Sequence, residues 1–184
     1  MAAWLCIVAA WLCALTGTGT SAHAQTSEYD VMAAYLFNFG KFIRVAGAPE
    51  PQHPTFDICI LGRDPIGRAM DDIAANESIG DRPVRVFRLS DASQGRKCDI
   101  VFISAYEGDA IREDLAVLDN TDALTVSNAA DFLERGGMIQ FVPEDNHVRF
   151  EVNLDAVDRT HLVLSSELLR VAAAVKGKPA GVSR

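Results

Sequence analysis

Three short apolar runs constrain the fold of this chain most: residues 55–62 (TFDICILG), 98–104 (CDIVFIS) and 123–127 (ALTVS). Each is apolar at most positions and too short for a core helix, the pattern of a strand covered on both faces. Helical spacing fills the intervals between them. Asp64 is placed to cap a helix with Pro65 at its first position, running through Met70 and Ile73 to about Ala75. A second helix, residues 109–118, repeats apolar residues at Ile111, Leu115 and Leu118. Ser127 or Asn128 would cap a third, through Phe132 and Leu133, stopping at Gly136-Gly137. Residues 83–89 (PVRVFRL) alternate apolar and basic, as a strand with one wet face near a sheet edge does.

This alternation predicts an α/β three-layer sandwich: a mostly parallel sheet flanked by helices. The pattern then changes. Residues 138–142 and 147–153 flank the turn-forming Pro143-Glu144-Asp145-Asn146, predicting a C-terminal β-hairpin. In its second arm Val148, Phe150 and Val152 share one face, and Arg149, Glu151 and Asn153 the other. Ser165 or Ser166 would cap a closing helix over residues 167–175.

Residues 1–24 read as a signal peptide. An apolar run over residues 2–15, short for a membrane anchor, leads to the A-x-A cleavage pattern Ala22-His23-Ala24, although no Lys or Arg precedes it. The alternative is a retained anchor or a buried helix. Residues 25–184 would then form one exported domain with an ordered core of about 29–175. All charged residues lie in that part, and the net charge of −8 argues against nucleic acid and against anionic lipid as partners. Cys6 and Cys13 leave with the leader, so Cys59 and Cys98 remain as a disulfide candidate in an oxidising compartment. In a doubly wound order the first and third strands are neighbours, which would bring this pair together. Two separate buried thiols are the alternative.

Little here suggests catalysis. Residues 62–67 match GxxxxG, but Arg68 and Ala69 follow where a phosphate-binding loop needs Lys and Ser/Thr. Gly62, Arg63, Arg68 and the strand-end Ser104 could still seat an anion at a helix start; a capped helix with solvated arginines is the plainer reading. His53, His147 and His161 lack metal-ligand spacing, and Ser104 lacks a nucleophile elbow. No nucleophile–base–orienter set can be assembled, so neither an enzyme nor a metal nor a cofactor is expected.

The first segment after the leader, AYLFNFGKFIRV (residues 34–45), crowds four aromatics into one helical pattern. Val31, Met32, Tyr35, Leu36, Phe39, Phe42, Ile43 and Ala46 fall on one stripe wide enough to cover a sheet. Phe37 falls outside it, on a face shared with Lys41 and Arg44, while Gly40 permits a close backbone approach. Three readings of Phe37 stand: it is covered by the C-terminal helix, it anchors a partner or second copy, or it enters a membrane. The acidic net charge speaks against the last.

The ordered set Y-L-F-N-F-x-K-F, F-x-I-C-I-L-G, C-D-I-V-F-I-S, G-G-M-I-x-F, R-F-E-V-N-L and L-L-R-V-A resembles the YfiR-like family of periplasmic proteins, from about Tyr29 to Ala173. The resemblance implies a non-enzymatic periplasmic repressor. It would bind the periplasmic sensor domain of an inner-membrane diguanylate cyclase and so lower cyclic-di-GMP signalling and biofilm formation. It also implies a homodimer and a bridge between Cys59 and Cys98. A second bridge known in some members has no cysteines here. Phe37, Lys41 and Arg44 match the opening-helix motif, and Arg149, Glu151 and Asn153 the R-F-E-V-N motif; both sets are candidate partner-binding residues. The competing reading is a periplasmic small-molecule-binding module.

Overall fold

The computed structural model describes residues 27–47, 53–104 and 108–177. The expected signal peptide lies outside them. The chain opens with α1 (Glu28–Lys41), then β1 (Ile43–Val45), β2 (Phe56–Leu61), α2 (Gly67–Asn76), β3 (Ser78–Ile79) and β4 (Arg82–Leu89). A 3-10 helix (Ala92–Lys97) leads to β5 (Ile100–Ile103), α3 (Gly108–Leu118), β6 (Leu124–Ser127), β7 (Ile139–Glu144) and β8 (His147–Asn153). It closes with α4 (Leu154–Val157), β9 (Leu162–Leu164), α5 (Ser166–Val171) and β10 (Ala174–Lys176).

Eight strands form one sheet in the order β10-β8-β7-β6-β5-β2-β4-β3, and β1 and β9 form a separate antiparallel ribbon. The central strands β7, β6, β5, β2 and β4 run parallel. The predicted α/β architecture is therefore present, and its apolar runs explain it. In β2, Ile58 and Ile60 face one core while Cys59 and Leu61 face another; β5 divides Ile100 and Phe102 from Val101 and Ile103 in the same way. The first core is closed by α1 and α2, through residues such as Leu36, Phe39 and Met70. The second is closed by α3, the 3-10 helix and the segment after β6, through Ile111, Ala92 and Phe132. Strands buried on both faces cannot alternate polar and apolar residues.

The structure corrects several boundaries. The opening helix ends at Lys41, with Phe42 as its C-cap, and Ile43 pairs with Leu164 in the ribbon. Those apolar residues suit a strand as well as a helical stripe, and the pairing decides. Its start is fixed by a capping box: the Ser27 hydroxyl accepts from the Asp30 N–H, and the Asp30 carboxylate accepts from the Ser27 N–H. α2 begins at Gly67 rather than at Pro65, and Ile66, not Asp64, is its N-cap. Asp64 is drawn off by Arg88, whose Nε donates to it at 2.7 Å.

Residues 130–136 are successive turns instead of a helix, because Asp131 sits at φ 56° and interrupts the α conformation. The hairpin turn is tighter than its four polar residues suggest. β7 continues through Pro143 to Glu144, which pairs with His147, leaving Asp145 and Asn146 as a two-residue turn at φ 48° and 62°. Positive φ at both positions is the type I′ signature, whose twist matches that of the strands. The closing helix stops at Val171, and the chain leaves it to form β10, parallel to β8 at the sheet edge.

Candidate partner-facing surface and the disulfide bridge

Cys59 in β2 is bonded to Cys98, the residue that ends the 3-10 helix two positions before β5. Their Cα atoms lie 6.1 Å apart, within the span a disulfide needs. Cys59 is fully buried in the second core, so the bridge pins the 3-10 helix against the sheet.

Phe37 is not on a wet face. It is 7 % exposed and belongs to the same core cluster as Leu36 and Phe39. This side of α1 is covered instead of facing solvent. Gly40, one turn on, lies so close to Ile79 and Phe56 that a Cβ there would meet the Phe56 ring at 2.8 Å, and α2 packs along α1. Lys41 lies over the Phe37 ring with its Nζ 4.1 Å from the centroid, and it also donates to Asn38 Oδ1 at 3.2 Å. Arg44 is exposed on β1, beyond the end of the helix.

The second candidate set lies on the other side of the sheet. Val148, Phe150 and Val152 are buried toward α1, with Phe39 and Phe150 ring centroids 4.9 Å apart, so Arg149, Glu151 and Asn153 face away. Arg149 pairs with Glu144 at 3.2 Å and Glu151 with Lys176 of β10 at 3.8 Å. Asn153 has structural work: its amide donates to Leu133 O at 3.0 Å, and its Oδ1 accepts from the Ala156 N–H, capping α4. The six residues thus occupy four situations: a buried ring, an exposed basic pair near the end of α1, two ion-paired side chains on β8, and a capping amide at its end.

At the carboxyl ends of β2 and β5 the structure does bring Gly62 and Ser104 together. Gly62 has φ 90°, and the buried Ser104 donates its N–H to Leu61 O at 3.0 Å. Arg63 and Arg68 are exposed, and the carboxylates of Asp64 and Asp71 share their turn and helix. Arg88 holds both carboxylates, donating to Asp71 at 2.8 Å through two nitrogens. The Asp71 hydrogen bonds, and then Asp64, hold the Arg88 guanidinium well above its ordinary basicity against some desolvation.

A second clamp was not foreseen. Arg82 of β4 makes a bidentate pair with Asp99 at 2.9 and 2.7 Å and also donates to Thr55 O, while Asp99 accepts the Asp57 N–H at 2.7 Å. It ties the amino-terminal ends of three strands. Arg82 precedes the PVRVFRL alternation, so no local signal marks either the donor or the acceptor.

These features define a disulfide-stapled, mostly parallel three-layer α/β domain whose candidate contact surfaces are charged strand and helix ends. The chain belongs to the YfiR/HmsC-like family, whose model matches residues 29–173. Membership supports a periplasmic regulator of the YfiR type in general terms. No curated protein matches the sequence. Among solved structures, a conserved domain protein from Vibrio cholerae O1 biovar eltor str. N16961 is similar in fold, at TM-score 0.53 and 11% identity, covering 80% of this chain. This chain spans 60% of that one. A 3-hydroxyacyl-CoA dehydrogenase from Archaeoglobus fulgidus DSM 4304 matches at TM-score 0.32 and 12% identity, over 68% of this chain and 58% of its own, too low a score to establish a shared fold. Among the described residues no helix is long and apolar enough to cross a membrane.

Proposed function

We propose that this protein is a periplasmic, non-enzymatic repressor that binds the periplasmic sensor domain of an inner-membrane diguanylate cyclase. By holding the cyclase inactive it lowers cyclic-di-GMP and biofilm formation. The family match over residues 29–173 carries this reading. An exported single domain over residues 25–184, acting as a homodimer, is part of the proposal. Two docking surfaces are put forward: Lys41 with Arg44, and Arg149 with Glu151. Phe37 serves the first only indirectly, by holding Lys41 in place through its ring. The bridge of Cys59 and Cys98 supports the fold, with Cys59 fully buried in the second core.

Affinity capture of the full chain from solubilised membranes tests this directly, together with cyclic-di-GMP measured after gene deletion. A captured membrane cyclase and a rise in cyclic-di-GMP are the expected results. Capture of no cyclase, with the nucleotide level unchanged, refutes the repressor. The charge reversals Lys41→Glu with Arg44→Glu, and separately Arg149→Glu, show which surface docks: the effective one abolishes capture while melting stays within a few degrees.

A further inference from the structure

A cavity of about 210 Å³ lies beside α4, whose Ala156 lines it and is capped by Asn153. Its walls come from α3, from the turn at Arg135 and Gly136, from Thr125 of β6, and from the segment around Arg159 that follows α4. Val126 pairs with Ile139, so Thr125 and Met138 mark the amino-terminal ends of β6 and β7. That is the end opposite Gly62 and Ser104.

Its charge is unusual for this chain. Among the described residues its walls carry three arginines, Arg112, Arg135 and Arg159, and one carboxylate, Asp119, a formal +2 in a protein of net −8. Arg159 is held in place: it donates to Gly136 O at 3.2 Å and Asp155 O at 3.3 Å, and its Nε lies 4.0 Å from Asp119. Among the described residues Arg135 Nε, a buried donor, has no acceptor. Thr125 accepts the Met138 N–H at 3.2 Å, which leaves its hydroxyl proton to donate.

We propose that this cavity binds a small oxyanion, a compound bearing a phosphate or carboxylate group. Guanidinium forks match the paired oxygens of such groups, and three guanidinium-bearing residues line this one cavity. The volume falls below the roughly 300–1,000 Å³ of pockets for drug-sized ligands, which suits a small anion. The ligand would join α3 to the turn after β6 and to the segment after α4. This site does not depend on which protein, if any, the chain represses.

Thermal melting and calorimetry of the full disulfide-bonded chain provide the test, with sodium phosphate, sodium succinate and sodium chloride at matched ionic strength. Saturable stabilisation by phosphate or succinate, but not chloride, is expected, since a ligand bound only to the native state raises its stability. Which of the two acts assigns the anion class. Arg135→Gln should weaken binding at least tenfold with an unchanged circular dichroism spectrum, while the exposed Lys97→Gln should bind as the parent does. If Arg135→Gln does not fold, Arg112→Gln is read in the same way. Absence of saturable binding by both anions, an equal effect of chloride, or full affinity in the arginine variant overturns the site.

Discussion

At the scale of single residues, the two most informative positions are Phe37 and Asp99. Phe37 has the sequence context of a surface anchor and the environment of a core residue, at 7 % exposed. Phe37→Ala should therefore lower the unfolding free energy by about 3 kcal/mol, the lower end for a buried ring, in urea denaturation. A change within a few tenths would mean that the ring lies on the surface after all. Asp99 takes two guanidinium bonds and one backbone N–H, with Asp99 and Arg82 side chains only 21% and 17% exposed. Asp99→Ala leaves Arg82 short of its counter-charge and should cost about 3 kcal/mol by the same measurement. These partners are 17 residues apart and meet only because β2 lies between β4 and β5. Nothing local in the sequence could have paired them.

At the scale of elements, the edge strand β10 is held by its pairing with β8 and carries an ion pair. Lys176 bonds Glu134 in the turn segment and lies 3.8 Å from Glu151 of β8. The Lys176 hydrogen bond holds the Glu134 carboxyl below its usual value of 4.5, and the same bond holds the Lys176 ammonium above its usual 10.5. The stability contributed through Glu134 is thus complete above pH 4.5 and is lost as pH falls through its lower folded value. Through Lys176 it is complete below pH 10.5 and lost as pH rises through the higher folded value. Both side chains are about half exposed, so solvent limits the pair to about 0.5 kcal/mol. Denaturation profiles against pH should show a shallower acid loss for Glu134→Gln; superimposable profiles would remove the pair from the account of β10. The short closing helix belongs to this scale too. Ala174 to Lys176 have no strong preference of their own, and pairing with β8 makes them a strand.

At the scale of the whole molecule, the bridge closes a loop of 39 residues across the second core. Constraining that loop in the unfolded chain is worth about 4 kcal/mol in the chain-entropy account. Reduction under mild denaturant, or the double replacement Cys59→Ser with Cys98→Ser, should lower the melting temperature by several degrees without changing the helix and strand content of the native state. Equal melting of oxidised and reduced protein would show that the cores alone set the stability. The two cores lie on opposite faces of one sheet, so the bridge reinforces the face that α3 and the 3-10 helix cover, and α1 and α2 close the other without one.

By itself the sequence determined the central strands, α3 and the hairpin, since burial on both faces or on alternate residues leaves a periodic mark along the chain, and it offered Cys59 and Cys98 as a candidate pair that the structure joins. The end of α1, the turns at residues 130–136 and the strand β10 were decided by tertiary structure, because each segment suits two local conformations and a distant partner selects one. The same holds for the candidate sites. Motif matching marked AYLFNFGKFIRV and R-F-E-V-N as contact residues. Only the folded sheet put them on opposite faces, buried Phe37, and gathered Arg112, Arg135 and Arg159 around one cavity. Three residues scattered along a chain carry no period, and their convergence exists only in three dimensions.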